Sequence, residues 1–337
     1  MMWFWTCDQL ERLGVFLAER GLCGPTVTAG AIGDGHSNLT FLVSDGRTRV
    51  VVRRPPPPPL PPGAHDVLRE ARLLDALDET DVPTPRVLAT APAGELLDVP
   101  VVVMDFVDGS VITESTPAPS DDVGLRRRIG ESVVDTLAAL HTVPWRQVGL
   151  GDFGKPEGFN ARQLRRMRSL VAVEGTVPKS FVPLDDWLNA HVPLESASSI
   201  VHNDFRIGNM IVDLGAGRVA AVLDWELATI GDPLADLGYL LTSYPVPGEP
   251  LVPTAAMGTA VLEPGYPKRS ELLDRYAQRT GADVSAVNWY AALAMYKLAA
   301  LYEYSRRRFE SGTGDPYYSD PQLVASFLAA GERLAGA

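Results

Sequence analysis

The sequence predicts an α+β fold in two lobes, β-rich over residues 1–107 and mainly helical over residues 108–337. Three observations predict it. Strand-length β-branched runs, TRVVVRR at 48–54 and VPVVVMDFV at 99–107, crowd the first third. From Asp121 onward apolar residues recur mostly at helical spacing. The exception is the stretch 199–224, where two short apolar runs flank a Gly-containing turn at 214–217 and form a β-hairpin.

The elements follow in order. Leu10, Leu13, Phe16 and Leu17 set a helix over 8–20, with Asp8 as its cap and Gly21 as its stop. Residues 30–46 read as two strands around a Gly-rich turn, returning through Leu39, Phe41 and Val43. The prolines of 55–62, interrupted only by Leu60, exclude helix and sheet and make a stiff extended spacer. A helix over 64–77 lines up Val67, Leu74 and Leu77 and carries Glu70. Strands at 86–90 and 99–107 complete the first lobe. Helices follow over 124–141, 160–171, 184–191, 272–279, 286–309 and 321–334. Asp232 and Pro233 open one more, as a cap and a first-turn proline. The Gly-rich segment GLGDFGKPEGF between the first two of these helices is expected to be mobile.

Composition bounds the partners. A formal charge of -12 argues against nucleic acid and anionic membranes, both of which reward a basic face. Hydrophobic residues at 46% and charged residues at 21% are those of a globular chain. Cys7 and Cys23 have no metal-type spacing, and no stretch is long enough to span a bilayer. A cytoplasmic protein is expected.

The chemistry concentrates around the hairpin. Asp204 precedes Asn209 by five positions, and Asp224 ends the returning strand. This D-x-x-x-x-N spacing with a later strand-terminal Asp is the arrangement of protein-kinase-like phosphotransferases. Asp204 then accepts the proton of an attacking hydroxyl, while Asn209 and Asp224 offer oxygen ligands to magnesium. His202 reads as a structural anchor of the loop, and Asp236 as its brace.

The segments HNDFRIGN and VLDWELATIGDPLADLGYLL resemble the aminoglycoside phosphotransferase and choline-kinase-like family. The resemblance is nearest to the branch whose kinase-like domain also occurs fused to acyl-CoA dehydrogenases. That family usually has glycine between the His and the Asp, where this chain has Asn203. The resemblance implies a bilobal protein-kinase-like fold that binds ATP, or alternatively GTP, with Mg. It places the nucleotide in lobe 1–107 and the catalytic and acceptor sites in 108–337. Gly35 and Ser37 would cover the phosphates, and adenine would meet the backbone near Asp105 and Val107. Arg53 stands where kinases carry the phosphate-binding lysine, with Glu70 as its partner.

Only six residues separate Asp224 from Gly231, which leaves no platform for a peptide. The acceptor is therefore expected to be a small hydroxylated molecule. Tyr296, Lys297, Tyr302, Tyr304 and the triplet Arg306 to Arg308 suit an acidic or acyl-bearing acceptor, and equally suit helix packing with a solvated basic end. The fused branch hints at a hydroxylated acyl compound. Two other functions stay open: a catalytically silent nucleotide-binding regulator, and an aminoglycoside-modifying kinase. The oligomeric state is left open.

Overall fold

The computed structural model describes residues 5–33, 38–56, 65–117, 122–195 and 197–336. The chain forms two units, Met1–Gly109 with Ala220–Glu226, and Ser110–Val219 with Leu227–Ala337.

The first unit opens with α1 (Cys7–Glu19), whose N-terminus is closed by a capping box. Thr6 accepts from the Gln9 N–H and Gln9 accepts from the Thr6 N–H. Asp8, the expected cap, instead lies in the first turn. Strands β1 (Thr28–Ala31), β2 (Leu39–Ser44) and β3 (Arg49–Arg54) follow, then α2 (Val67–Leu77), β4 (Val87–Ala91) and β5 (Val101–Asp105). They make one antiparallel sheet in the order β1-β2-β3-β5-β4. β3 is thus central, and its two terminal arginines are not edge charges.

Pleating gives those arginines different surroundings. Val50, Val52 and Arg54 share the face that packs with Val43, Val101, Val103 and the apolar side of α1. Arg54 is tolerated there because its guanidinium lies 5.1 Å from the Trp5 ring and 5.4 Å from the Phe41 ring. Arg53 points to the other face, where it meets Glu70 of α2.

The second unit holds α3 (Val123–Thr142), α4 (Phe159–Val171), α5 (Val182–Ala190), β6 (Ser199–Val201) and β7 (Met210–Asp213). β8 (Arg218–Val222) carries the chain from this unit into the first. After it come β9 (Thr229–Gly231), α6 (Leu234–Thr242), α7 (Pro253–Ala256), α8 (Arg269–Thr280), α9 (Val287–Glu310) and α10 (Pro321–Ala335). β7 and β8 form the expected hairpin sheet. A second two-stranded sheet, β6 with β9, pairs Ile200 with Ile230 and was not expected. The Gly-rich segment before α4 is pinned rather than loose. Phe153 is buried, and a Cβ on Gly154 would stand 2.6 Å from the Ile230 nitrogen. Arg162 also donates to the Lys155 and Glu157 carbonyls.

α9 is the axis on which α6 and α10 pack. Among the described residues, no helix is long and apolar enough to cross a membrane. α6 and α9 pack tightly at Gly238, where a Cβ would lie 2.7 Å from the Ala291 nitrogen. Gly238→Ala is expected to cost about 2 kcal/mol by overpacking. Urea denaturation checks this, and an unchanged midpoint would refute the tight contact.

Candidate active site

The loop that begins after β6 is held from behind by one buried carboxylate. Asp236, in the first turn of α6, accepts from the His202 N–H at 2.6 Å and the Asn203 N–H at 2.7 Å. His141 of α3 approaches it at 3.4 Å and is itself fixed at 2.7 Å by the Tyr276 hydroxyl. Burial pushes the Asp236 pKa up, but the hydrogen bond and charge of His141, together with His202, draw it below its ordinary value. His202 is fully buried, and its Nδ1 accepts from the Asp204 N–H at 3.2 Å. An accepting Nδ1 leaves the ring proton on Nε2. Asn203 sits at φ 66, in the left-handed region. Glycine enters this region freely and asparagine more readily than most other residues, so the substitution keeps the turn.

Asp204 emerges half-buried from this brace. The Asn209 amide donates to its carboxylate at 2.7 Å and to its carbonyl at 2.9 Å. Turning Nδ2 toward Asp204 leaves the Asn209 Oδ1 without a hydrogen bond among the described residues. Arg206 Nε lies 3.7 Å from the Asp204 carboxylate. The Arg206 guanidinium covers Gly208 so closely that a Cβ there would collide with it. Tyr239, on α6, feels the Asp204 charge, and with burial this raises its pKa well above the ordinary value. Neither Arg206 nor Tyr239 stands out in the sequence.

In the first unit Arg53 is caged by three carboxylates. Its Nε is 3.0 Å from Glu70, and its Nη2 lies 3.1 Å from Asp224 and 3.9 Å from Glu226. Asn38 donates to Glu226 at 3.2 Å. Burial works against the Arg53 charge, but Glu70, Asp224 and Glu226 more than offset it and raise the pKa. Burial, with the neighbouring Asp224 and Glu226, pushes Glu70 to about 7 against the pull of Arg53 and of the Trp225 N–H. Asp224 has φ 67, a strained value for a residue with a side chain. Trp225 locks the turn, being buried with its indole N–H donated to the Val222 carbonyl at 2.9 Å. Glu226 carries no sequence signal of its own, because its place beside Arg53 depends on the fold of this turn.

No cluster of three His, Cys, Asp or Glu side chains suited to a metal occurs among the described residues. Magnesium does not require one, since it takes one or two protein carboxylates and fills the rest from phosphate and water. Among the described residues the Asn209 Oδ1, in the second unit, has no hydrogen bond, and Asp224, in the first unit, engages Oδ1 through Arg53. All-oxygen donors of this kind fit a hard cation.

The other expected residues are distributed unevenly. Gly35 and Ser37 lie outside the described residues. The Asp105 carboxylate accepts from the Arg86 N–H at 2.8 Å, and its own N–H goes to the Arg86 carbonyl. Val107 is half-buried just past β5. In α9, Tyr296 is a core residue bound to Asp185 at 2.8 Å. Arg306 and Arg307 are paired with Glu303, and Arg306 also with Glu310. Helix packing accounts for that part of the segment, whereas Lys297 donates to Asn203 at 3.2 Å.

The model of the phosphotransferase enzyme family matches residues 28–272. Acyl-CoA dehydrogenase family member 11 of Rattus norvegicus is 30% identical over 308 residues, covering 89% of this chain. This chain spans 39% of that relative and 26% of acyl-CoA dehydrogenase family member 10 of Mus musculus. The crystal structure of a candidate aminoglycoside phosphotransferase from Ralstonia eutropha is 30% identical with a TM-score of 0.81, covering 97% of this chain and 98% of its own. Choline kinase from Cryptosporidium parvum, 13% identical and covering 96% of each chain, shares the fold at a TM-score of 0.63.

The raised pKa of Glu70 gives a pH prediction. The folded state holds this proton more tightly than the unfolded chain does. Its contribution to stability is therefore complete below the ordinary value of 4.5 and is lost as pH rises through about 7. Relative to Glu70→Gln, the wild type is expected to lose about 3 kcal/mol between those limits. Denaturation curves of both proteins from pH 5 to 8 test this, and a constant gap would contradict it.

Proposed function

The chain belongs to the phosphotransferase enzyme family, and from that premise we propose that it transfers the γ-phosphoryl group of ATP to a hydroxyl of a small molecule. GTP is the alternative donor, and the reaction depends on magnesium. The observation that carries this proposal is Asp204, a half-buried carboxylate on a loop braced by Asp236 and flanked by the Asn209 amide.

Asp204 takes the proton of the acceptor hydroxyl as that oxygen attacks the γ-phosphorus and ADP departs. Arg53, oriented by Glu70, steadies the nucleotide phosphates with a permanently charged planar fork. Asn209 and Asp224 are the residues that would hold magnesium, which when bound neutralises phosphate charge. Gly35 and Ser37 cover the phosphates, and backbone near Asp105 and Val107 receives the base. In this assignment residues 1–107 bind nucleotide, and residues 108–337 carry catalysis and the acceptor. The protein acts in the cytoplasm, in keeping with its unpaired Cys7 and Cys23.

The acceptor is a hydroxylated acyl compound rather than an aminoglycoside. Arg206 brings a positive charge to the Asp204 loop, which disfavours a polycation. The kinship with acyl-CoA dehydrogenase family members supports the same choice.

Asp204→Ala is expected to abolish magnesium-dependent ATP turnover while nucleotide binding by calorimetry persists. Turnover that survives the substitution would remove Asp204 from the mechanism. Arg53→Met is expected to weaken ATP binding by roughly tenfold or more, the loss of about 1.4 kcal/mol of charge-assisted contact. Incubating a metabolite pool with native protein and with Asp204→Ala, and searching for a mass gain of one phosphate, identifies the acceptor.

A further inference from the structure

Lys297 is a lysine in a costly place. It sits in the middle of α9, beside a small cavity lined by Phe159, Gln163, Tyr239, Tyr290 and Leu293. Burial draws its pKa down to about 8, even though Asp236 and Asp204 favour the ammonium; Arg166 opposes it. An ammonium has three donors, and among the described residues Asn203 Oδ1 is its hydrogen-bond partner. A methionine or leucine would fill the same space without the desolvation cost.

The partner explains the retention of charge. Asn203 immediately precedes Asp204 and holds the left-handed turn that aims it. It is tied on three sides by three different parts of the unit. Its N–H goes to Asp236 of α6 at 2.7 Å, its Nδ2 to the Leu227 carbonyl at 2.9 Å, and its Oδ1 receives Lys297 of α9 at 3.2 Å. The same helix holds the start of α6 by a second bond, from the Tyr290 hydroxyl to Asp232 at 2.7 Å. α9 therefore grips both ends of the loop-and-brace assembly. Of the three ties on Asn203, the one from Lys297 is the only charged donor.

We propose that Lys297 is a positioning residue for phosphoryl transfer, acting through the Asn203 side chain to fix the turn that presents Asp204. The proposal rests on the assignment of Asp204 made above. It separates Lys297 from the substrate-contacting groups and makes Asn203 and Lys297 a matched pair. Lys297 loses its purpose without the Asn203 side chain.

A double-mutant cycle tests it, with Lys297→Met, Asn203→Gly and the double variant assayed by turnover of magnesium-ATP in the full chain. Methionine keeps the length of the stem and removes a buried charge, so Lys297→Met should fold with a melting temperature equal to or above the wild type. Its kcat should fall about tenfold, or 1.4 kcal/mol, with the KM for ATP unchanged. In the Asn203→Gly background, where the turn needs no side chain, the same change should alter kcat by less than about twofold. If Lys297→Met costs the same factor in both backgrounds, or raises KM instead of lowering kcat, Lys297 acts on its own or on substrate and the proposal is overturned. Asp204→Ala separates the two levels of inference. If turnover survives it, both the site assignment and the role of Lys297 fall. If turnover is lost while the cycle is additive, the role of Lys297 alone falls.

Discussion

A carboxylate with no access to water organises the helical unit. Asp236 lies at the foot of α6, and its two oxygens receive consecutive main-chain N–H groups from the loop that carries Asp204. A buried anion is expensive unless charge-assisted hydrogen bonds compensate it, and here His141 adds a further contact. The hold is directional. It orients the backbone just before Asp204 without engaging that side chain. Gly238, two residues further along α6, permits the close packing against α9 that keeps the foot of the helix in place.

The β-rich unit solves a different electrostatic problem. Three carboxylates, Glu70, Asp224 and Glu226, converge on the Arg53 guanidinium. The raised pKa of Glu70 and the left-handed backbone of Asp224 mark the same tension in protonation and in geometry. Strain and a perturbed pKa in one cluster are typical of a site built to receive a ligand.

Much of this was legible in the sequence. The α+β division followed from β-branched runs in the first third and helical periodicity after Asp121, the protein-kinase-like fold was what the resemblance of the Asp204 and Asp224 segments implied, and solved relatives share that fold. Long helices such as α9 and α10 announce themselves because many turns repeat one apolar face. β6 and β9 did not, because strands of three residues are too short to show a period. Proximity across the chain was equally hidden. Nothing in the spacing of Asn203 and Lys297 says that they touch, and the basic triplet at the end of α9 looked free until Glu303 and Glu310 were placed beside Arg306. Asn203 carried a weak signal, as a turn-tolerant residue just before the key aspartate. Arg53 carried a stronger one, since a strand-borne cation followed by a helix glutamate is itself a pattern, and the pair is present at 3.0 Å.

The route of the polypeptide has a consequence for anyone who would dissect the protein. Residues 220–226 return to the β-rich unit after the chain has already built much of the helical one. That segment brings Val222, whose N–H bonds to the Pro83 carbonyl at 2.9 Å, and the fully enclosed Trp225. A fragment ending near Gly109 would lack both. No single proteolytic nick or gene truncation can release either unit whole. Splitting this protein into halves calls for a circular permutation or a grafted segment, not a stop codon.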